Sequence, residues 1–286
     1  MRTPASSWVT NGRNIFVHGN EISFGGRYTA GLCHQPPEPG WAWGMILTTD
    51  AKKNRLFAAL SDAELAPWLP FLEPVDLPPG KVLHESSSNL THFYFPTTSI
   101  ISLLCILKDG DSTEIAVVGN EGVVGISLLM GGLSTPSRAE VQSAGQGFRV
   151  KADLVMHEFN QSSSVRHFLL RYIRALITQM AQMAACYRHH SLDQQLCRWL
   201  LLRLDRLNSN QLVATQELIA NLLGVRREGV TEAALRLQRA GLIRYRRGRI
   251  TVLDRNALER RVCECYAVIK EEYDRLLPAT FSLRAT

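Results

Sequence analysis

Residues 215–240 read TQELIANLLGVRREGVTEAALRLQRA. The run opens as a short amphipathic helix, with Thr215 as N-cap and Glu217 in the first turn, where a carboxylate meets the positive end of the helix dipole. Gly224 breaks it, because glycine takes the positive φ that a tight turn between helices demands. A second amphipathic helix follows, with Val230, Ala234 and Leu237 on its inner side. Ala220, four residues before Gly224, is small enough for the second helix to cross close to the first, and Val225 and Val230 fill the shared core. These offsets describe a helix-turn-helix; an ordinary antiparallel helix pair is the plainer alternative. Residues 241–253, GLIRYRRGRITVL, favour the first. Two β-capable runs flank Arg247-Gly248 as the tip of a hairpin, and a helix-turn-helix followed by a basic hairpin is a winged helix-turn-helix.

Charge points the same way. Leu222 to Arg249 holds eight Arg against two Glu. The 286-residue chain has a net charge of +6, with 15 cations and 15 anions in residues 1–190 but 17 and 11 in residues 191–286. Compositional bias explains why 26 of the 32 cations are Arg, but not why the surplus sits at one end. A neutral front and a basic back imply a nucleic-acid module behind another domain. In such modules the start of the second helix reaches base edges. Arg226, Arg227 and Glu228 occupy it: Arg grips guanine O6 and N7 together, and Glu accepts from cytosine N4. Thr215, Gln216 and Thr231 complete the expected DNA face. Arg246, Arg247 and Arg249 in the hairpin suit backbone phosphates, which position without reading sequence.

Working outward, Ser61 and Glu64 form a capping box, and Pro67 and Pro70 keep that helix short. Residues 75–150 are strand-like: LPPGKVL, HFYFP, SIISLLCILKDGDSTEIAVVG and RAEVQSAGQGFRV, punctuated by Gly80, Asp109-Gly110, Gly119, Gly131-Gly132 and Gly145. Short strands at this spacing predict an antiparallel barrel or sandwich. After Val165 the period turns helical. Leu169, Tyr172, Leu176, Met180, Met183 and Tyr187 recur at spacings of 3, 4, 4, 3 and 4, close to a heptad seam. The expectation is a dimerisation helix; packing on the chain's own barrel is the alternative. A second run carries Leu192, Leu196, Trp199, Leu200 and Leu204. Residues 1–50, with Pro36, Pro37 and Pro39 and three of the five Trp (Trp8, Trp41, Trp43), show no sustained period and are expected to be a tail without a core, with Met45 as an alternative start.

Other classes recede. No 18-residue apolar run predicts a membrane helix. No G-x-S-x-G, P-loop or H-E-x-x-H motif marks an enzyme. Six Cys, none in paired zinc spacing, argue against a disulfide framework and a zinc module, with a reducing cytoplasm as the default location. Cys105, in an apolar strand, is expected in the core. Cys263 and Cys265, both taken as helical, would point about 200° apart, so that one metal would not take both. His189-His190 ends the long helix, where imidazoles meet its last carbonyls. No metal site and no cofactor is expected.

At this point the chain resembles the Crp/Fnr family of bacterial transcription regulators, over roughly residues 50–275. TQELIANLLGVRREGVT, AGLIRYRRGRI and VVGNEGVVG carry the resemblance. More closely, PTTSIISLL, AVVGNEGVVGISLLMGG, STPSRAEVQSAG, QMAACYRHHSLDQQLCRWLL and CECY resemble one Crp/Fnr-like subgroup. The resemblance implies an α+β chain: a tail (1–50), a cyclic-nucleotide-binding-like antiparallel β-roll (51–163), a long dimerisation helix (164–190) and a winged helix-turn-helix domain (191–286). It implies a cytoplasmic homodimeric regulator on a palindromic operator in double-stranded DNA, with RNA polymerase as a partner it leaves room for and an effector it does not name. Arg227 and Glu228 match the family's base-reading pair; Glu232 and Gly229 depart from the family's frequent Arg and Ser or Thr, which leaves the operator sequence open. Members that bind cyclic AMP carry Gly-Glu after the barrel turn and Arg-Ser or Arg-Thr some ten residues on. Here Gly125 precedes Ile126 and Arg138 precedes Ala139, so Gly122, Gly125 and Arg138 mark an effector pocket without the ribose carboxylate, and cyclic AMP is not expected. The reading from another class is a small-molecule sensor acting through a protein partner rather than DNA; a specific footprint on duplex DNA separates the two.

Overall fold

The computed structural model describes residues 48–207 and 209–277 with their side chains, and the backbone of residues 9–10, 13–18 and 21–24. The chain divides into two compact units, Met1–Ala42 and Trp43–Thr286. The first contains a small antiparallel sheet of β1 (Val9–Thr10), β2 (Arg13–His18) and β3 (Glu21–Phe24), within the stretch read from sequence as a tail. Trp8, Trp41, Trp43 and Met45 lie outside the described residues.

The second unit opens with three single-turn helices, α1 (Thr48–Ala51), α2 (Arg55–Ala58) and α3 (Asp62–Leu65). Ser61 and Glu64 make the expected capping box on α3. Asn54 shows how the helices are fixed to the sheets. Its side-chain oxygen accepts from Leu56 N at 2.9 Å to cap α2, and its amide donates to Pro96 O at 2.8 Å and Gly122 O at 2.9 Å. A fully buried amide is thereby satisfied. Seven strands follow: β4 (Glu73–Leu77), β5 (Val82–His84), β6 (His92–Pro96), β7 (Ile100–Ile106), β8 (Ser112–Val118), β9 (Ser137–Ser143) and β10 (Gly145–Lys151). They form two antiparallel sheets, β4-β10-β6 and β5-β9-β7-β8, around a core that includes Phe93, Phe95, Ile101 and Val141. Phe57 of α2 stacks on Phe95 at 4.4 Å between centroids. Cys105 corrects its sequence reading: it lies past the register shift at Leu103/Leu104, near the hairpin tip, and is exposed.

Helix α4 (Ala152–Gln161) leads into α5 (Ser163–His189), about 40 Å long at 1.5 Å per residue. The hydroxyl of Ser162 caps α5 by accepting from Val165 N. The helix stops because His190 is extended (φ −105°, ψ 153°) and Ser191 begins a new capping box with Gln194, which starts α6 (Leu192–Leu204).

The heptad-like stripe corrects a second expectation. Leu169, Tyr172, Leu176 and Met183 are buried within the single chain, and Met180 and Tyr187 are half-buried. Tyr172 Oη donates to Val123 O at 3.0 Å, Tyr187 Oη to Glu114 O at 2.7 Å, and Gln179 Nε2 to Val117 O at 3.1 Å. The stripe therefore seats α5 on its own β-roll and is not turned outward to a second copy. Part of the cover on this helix comes from the last of the described helices.

That end of the chain comprises β11 (Gln211–Val213), α7 (Gln216–Leu223), α8 (Arg227–Arg239), β12 (Ile243–Arg246), β13 (Arg249–Val252), α9 (Arg255–Arg261) and α10 (Glu264–Leu276). Helix α10 packs along α5, with Tyr273 edge-on to Tyr172 at 6.5 Å between centroids. The Cys263/Cys265 expectation also fails. Cys263 is the extended N-cap of α10 (φ −76°, ψ 164°) and only Cys265 is helical, so their thiols are not splayed by the helical period. Both are buried beside Cys186 and His190. Among the described residues no helix is long and apolar enough to cross a membrane.

Candidate nucleic-acid interface

The helix-turn-helix is built as its local sequence requires. Thr215 Oγ1 accepts from Leu218 N at 3.1 Å, capping α7. Gly224 ends α7 at φ 65°, and its amide returns to Asn221 O at 3.3 Å. Ala220, Val230, Ala234 and Leu237 are buried between α7 and α8, as their spacing implies, with Val225 half-buried beside them. The two helices are also tied by a polar contact: Thr231 Oγ1 donates to Gln216 Oε1 at 2.8 Å. Thr215, Gln216 and Thr231, expected on the DNA face, thus have part of their hydrogen-bonding capacity committed to the scaffold.

Strands β11, β13 and β12 make a three-stranded antiparallel sheet in that order. Arg247 (φ 50°) and Gly248 (φ 74°) turn β12 into β13. Positive φ at both central residues is the signature of a type I′ turn, whose twist matches that of the strands it joins. The wing is fixed to the helices by Tyr245, whose N–H donates to Gln238 Oε1 at 2.7 Å and whose hydroxyl donates to Ala214 O at 2.7 Å. Burial pushes the Tyr245 phenol up to about 12 against the opposing charge of Arg227, so it stays a donor at neutral pH.

Arg226, Arg227 and Glu228 lie at the exposed start of α8, whose N-terminus no side chain caps. Its first amides and dipole stay open to an anion. Arg246, Arg247 and Arg249 are exposed on the wing, with Arg246 directly across the ladder from Arg249. Arg244, which the sequence reading passed over, is exposed on the same strand; its alternation with Tyr245 was the signal. None of these six arginines makes an ion pair with another described residue, whereas Arg236 and Arg255 are held by Asp193 and Asp205. Like charges set side by side without counterions suit a polyanion.

The proposed effector residues are taken up by close packing and by ion pairs. A Cβ on Gly122 would lie 2.5 Å from the Tyr172 hydroxyl, and one on Gly125 (φ 117°) 3.0 Å from the Phe93 ring, so both glycines serve close packing. Arg138 is engaged by Glu85 at 2.8 Å and Glu140 at 3.9 Å. A cavity of about 170 Å³ instead lies among Arg55, Glu121, Arg206, Lys270, Tyr273 and Asp274, where Arg206 and Glu121 are already paired at 2.7 Å.

Residues 194–261 match the Crp-like helix-turn-helix domain. No curated protein sequence matches the chain. Its fold is similar to that of a protein described as a crp/fnr-family transcriptional regulator from Eubacterium rectale, at 20% identity and a TM-score of 0.58, over 73% of this chain and 98% of that one. It is also similar to FixK2 from Bradyrhizobium japonicum (16% identity, TM-score 0.57, 67% of this chain and 98% of that one). The c-di-GMP responsive global regulator CLP of Xanthomonas campestris is a third (13%, 0.55, 68% and 100%). At these identities the likeness is one of fold. The chain thus has the fold of the Crp/Fnr transcription regulators and carries, at residues 194–261, a Crp-like helix-turn-helix domain.

Proposed function

We propose that the protein is a homodimeric, sequence-specific DNA-binding regulator of transcription, with α8 in the major groove and the wing on the backbone. The observation that carries this is the set of six exposed, unpaired arginines shared between the start of α8 and the hairpin beside it. Arg227 and Glu228 read bases; Arg246, Arg247 and Arg249 hold phosphates.

The dimer forms on the outer face of α5. Leu170 (49% exposed) and Ile177 (53% exposed) stand on it seven residues apart, followed by exposed Ala181 and Ala184. Two large apolar residues lined up with two small ones let a second helix approach closely, and the spacing keeps one seam facing a symmetry mate. This seam replaces the one read from periodicity.

Cyclic AMP is not the effector in this reading. Ile126 is buried where the family's ribose carboxylate would stand, Tyr172 occupies the space beside Gly122, and Arg138 is held by Glu85. Selection of binding sites from a pool of random duplexes by the purified protein tests the proposal. The expected product is a palindrome with half-sites one helical turn apart, about 34 Å. Recovery of unenriched sequence would leave the arginine face without its assigned role.

A further inference from the structure

Four side chains far apart in sequence meet at the hinge between α5 and α6. Cys186 lies in the last turn of α5, His190 is the extended residue after it, Cys263 caps α10 and Cys265 lies in its first turn. Their ligand atoms all lie within 4.8 Å of one another. Cys186 Sγ and Cys263 Sγ are 3.5 Å apart, and Cys265 Sγ and His190 Nδ1 are 3.6 Å apart. A tetrahedral zinc with Zn–S bonds of about 2.3 Å and Zn–N bonds of about 2.0–2.1 Å has edges of about 3.8 Å between sulfurs and about 3.6 Å from sulfur to nitrogen. These two contacts lie near such edges, and the 4.8 Å limit on the remaining pairs keeps all four atoms within reach of one ion. A multinuclear iron–sulfur cluster would spread its thiolates over several irons and hold them further apart.

Three further features fit a metal. Glu264 Oε1 lies 3.2 Å from His190 Nε2. An N–H donated there leaves the Nδ1 lone pair facing the thiols, the carboxylate–histidine–metal arrangement that fixes the tautomer of a ligand. Arg198 is buried, and its Nε and Nη1 have no hydrogen-bond partner. Burial and the neighbouring thiols push Cys186 and Cys265 up, and the charge of Arg198 opposes that shift at both. A divalent ion with three thiolates and a neutral imidazole carries net −1, which is the counter-charge this buried guanidinium lacks. The donor set also selects the metal: three sulfurs and one nitrogen suit zinc and exclude magnesium or calcium.

We propose that Cys186, His190, Cys263 and Cys265 form a closed tetrahedral site for one structural Zn²⁺ that clamps the start of α10 to the hinge between α5 and α6. With four protein ligands the site has no open position, so its role is to hold structure. It ties the C-terminal helix to the point where the long helix hands over to the DNA-binding domain, and loss of the ion releases that tie.

The test uses the full-length protein, purified in reductant without added metal. Elemental analysis is expected to find one zinc per chain. After chelation, Co²⁺ titration is expected to give thiolate-to-cobalt charge-transfer bands and the visible bands of a tetrahedral centre. Cys263→Ser and Cys265→Ser should weaken or abolish these bands, and Cys105→Ser should leave them unchanged. Glu264→Gln, an exposed substitution that spares the ligands, should weaken cobalt binding by about 10–100-fold. Absence of both zinc and cobalt bands in the reduced protein would overturn the proposal. So would unchanged cobalt spectra in Cys263→Ser and Cys265→Ser, or a Cys186–Cys263 disulfide recovered by mass spectrometry from protein that binds no metal when reduced.

Discussion

Arg203 of α6 and Glu114 of β8 meet in a buried ion pair, Nη2 to Oε2 at 2.6 Å, joining the Crp-like domain to the β-roll. Ser102 donates to the same carboxylate, and the guanidinium lies over the Trp199 ring at 3.9 Å from its centroid. Burial lowers the Arg203 pKa, and Glu114 opposes that shift. Removing one partner of such a pair leaves an uncompensated buried charge, which costs about 3–5 kcal/mol. Arg203→Met should therefore lose that much stability in urea unfolding, and Arg203→Met with Glu114→Met should recover most of it. A loss below about 1 kcal/mol in the single variant would show that the pair does not join the domains.

Gly224 has two reasons to be glycine. Its φ is 65°, and an added Cβ would meet Thr113 Oγ1 of β8 at 2.8 Å. Gly224→Ala should destabilise by more than about 1 kcal/mol, and Thr113→Ala should relieve the steric part while leaving the backbone part. Equal losses in both backgrounds would mean that the contact with β8 is unimportant.

The dimer seam separates two substitutions on one helix. Ile177→Asp, on the exposed face, should give a folded monomer in sedimentation. Met183→Asp, on the buried face, should instead lose folding, since an unpaired buried carboxylate costs several kcal/mol. A dimer that survives Ile177→Asp would place the interface elsewhere.

The effector reading predicts that titration calorimetry finds no micromolar binding of cyclic AMP. Clear heat at that concentration would mean that another group has replaced the carboxylate missing at Ile126.

What the sequence revealed depended on range. Thr215, Gly224 and Arg247-Gly248 act through their own backbone, so the helix-turn-helix and wing were legible from a few residues. The stripe on α5 was visible as a buried face, but periodicity does not say what buries it. The answer lay in Val117, Val123 and Glu114, more than 45 residues upstream, and in α10 downstream. The Cys/His cluster was missed for the same reason: Cys186 and Cys263 are 77 residues apart. Helical period was also applied to Cys263 when it is the cap, and cysteine gives no capping signal of the kind Ser, Thr or Asp does. Cys105 failed differently, because a register shift and a hairpin end are not written in local hydropathy.

The central claim is that α8 reads sequence while the wing only holds the backbone, and paired binding measurements on Arg227→Ala and Arg247→Ala test it most directly. On the selected palindrome, Arg227→Ala should cost about 1–3 kcal/mol and relax the choice of base at one symmetric position. Arg247→Ala should weaken selected and random duplexes alike and flatten the salt dependence by about one unit for each phosphate that is no longer neutralised. If Arg227→Ala weakens selected and random DNA by the same factor, α8 is not the reading element.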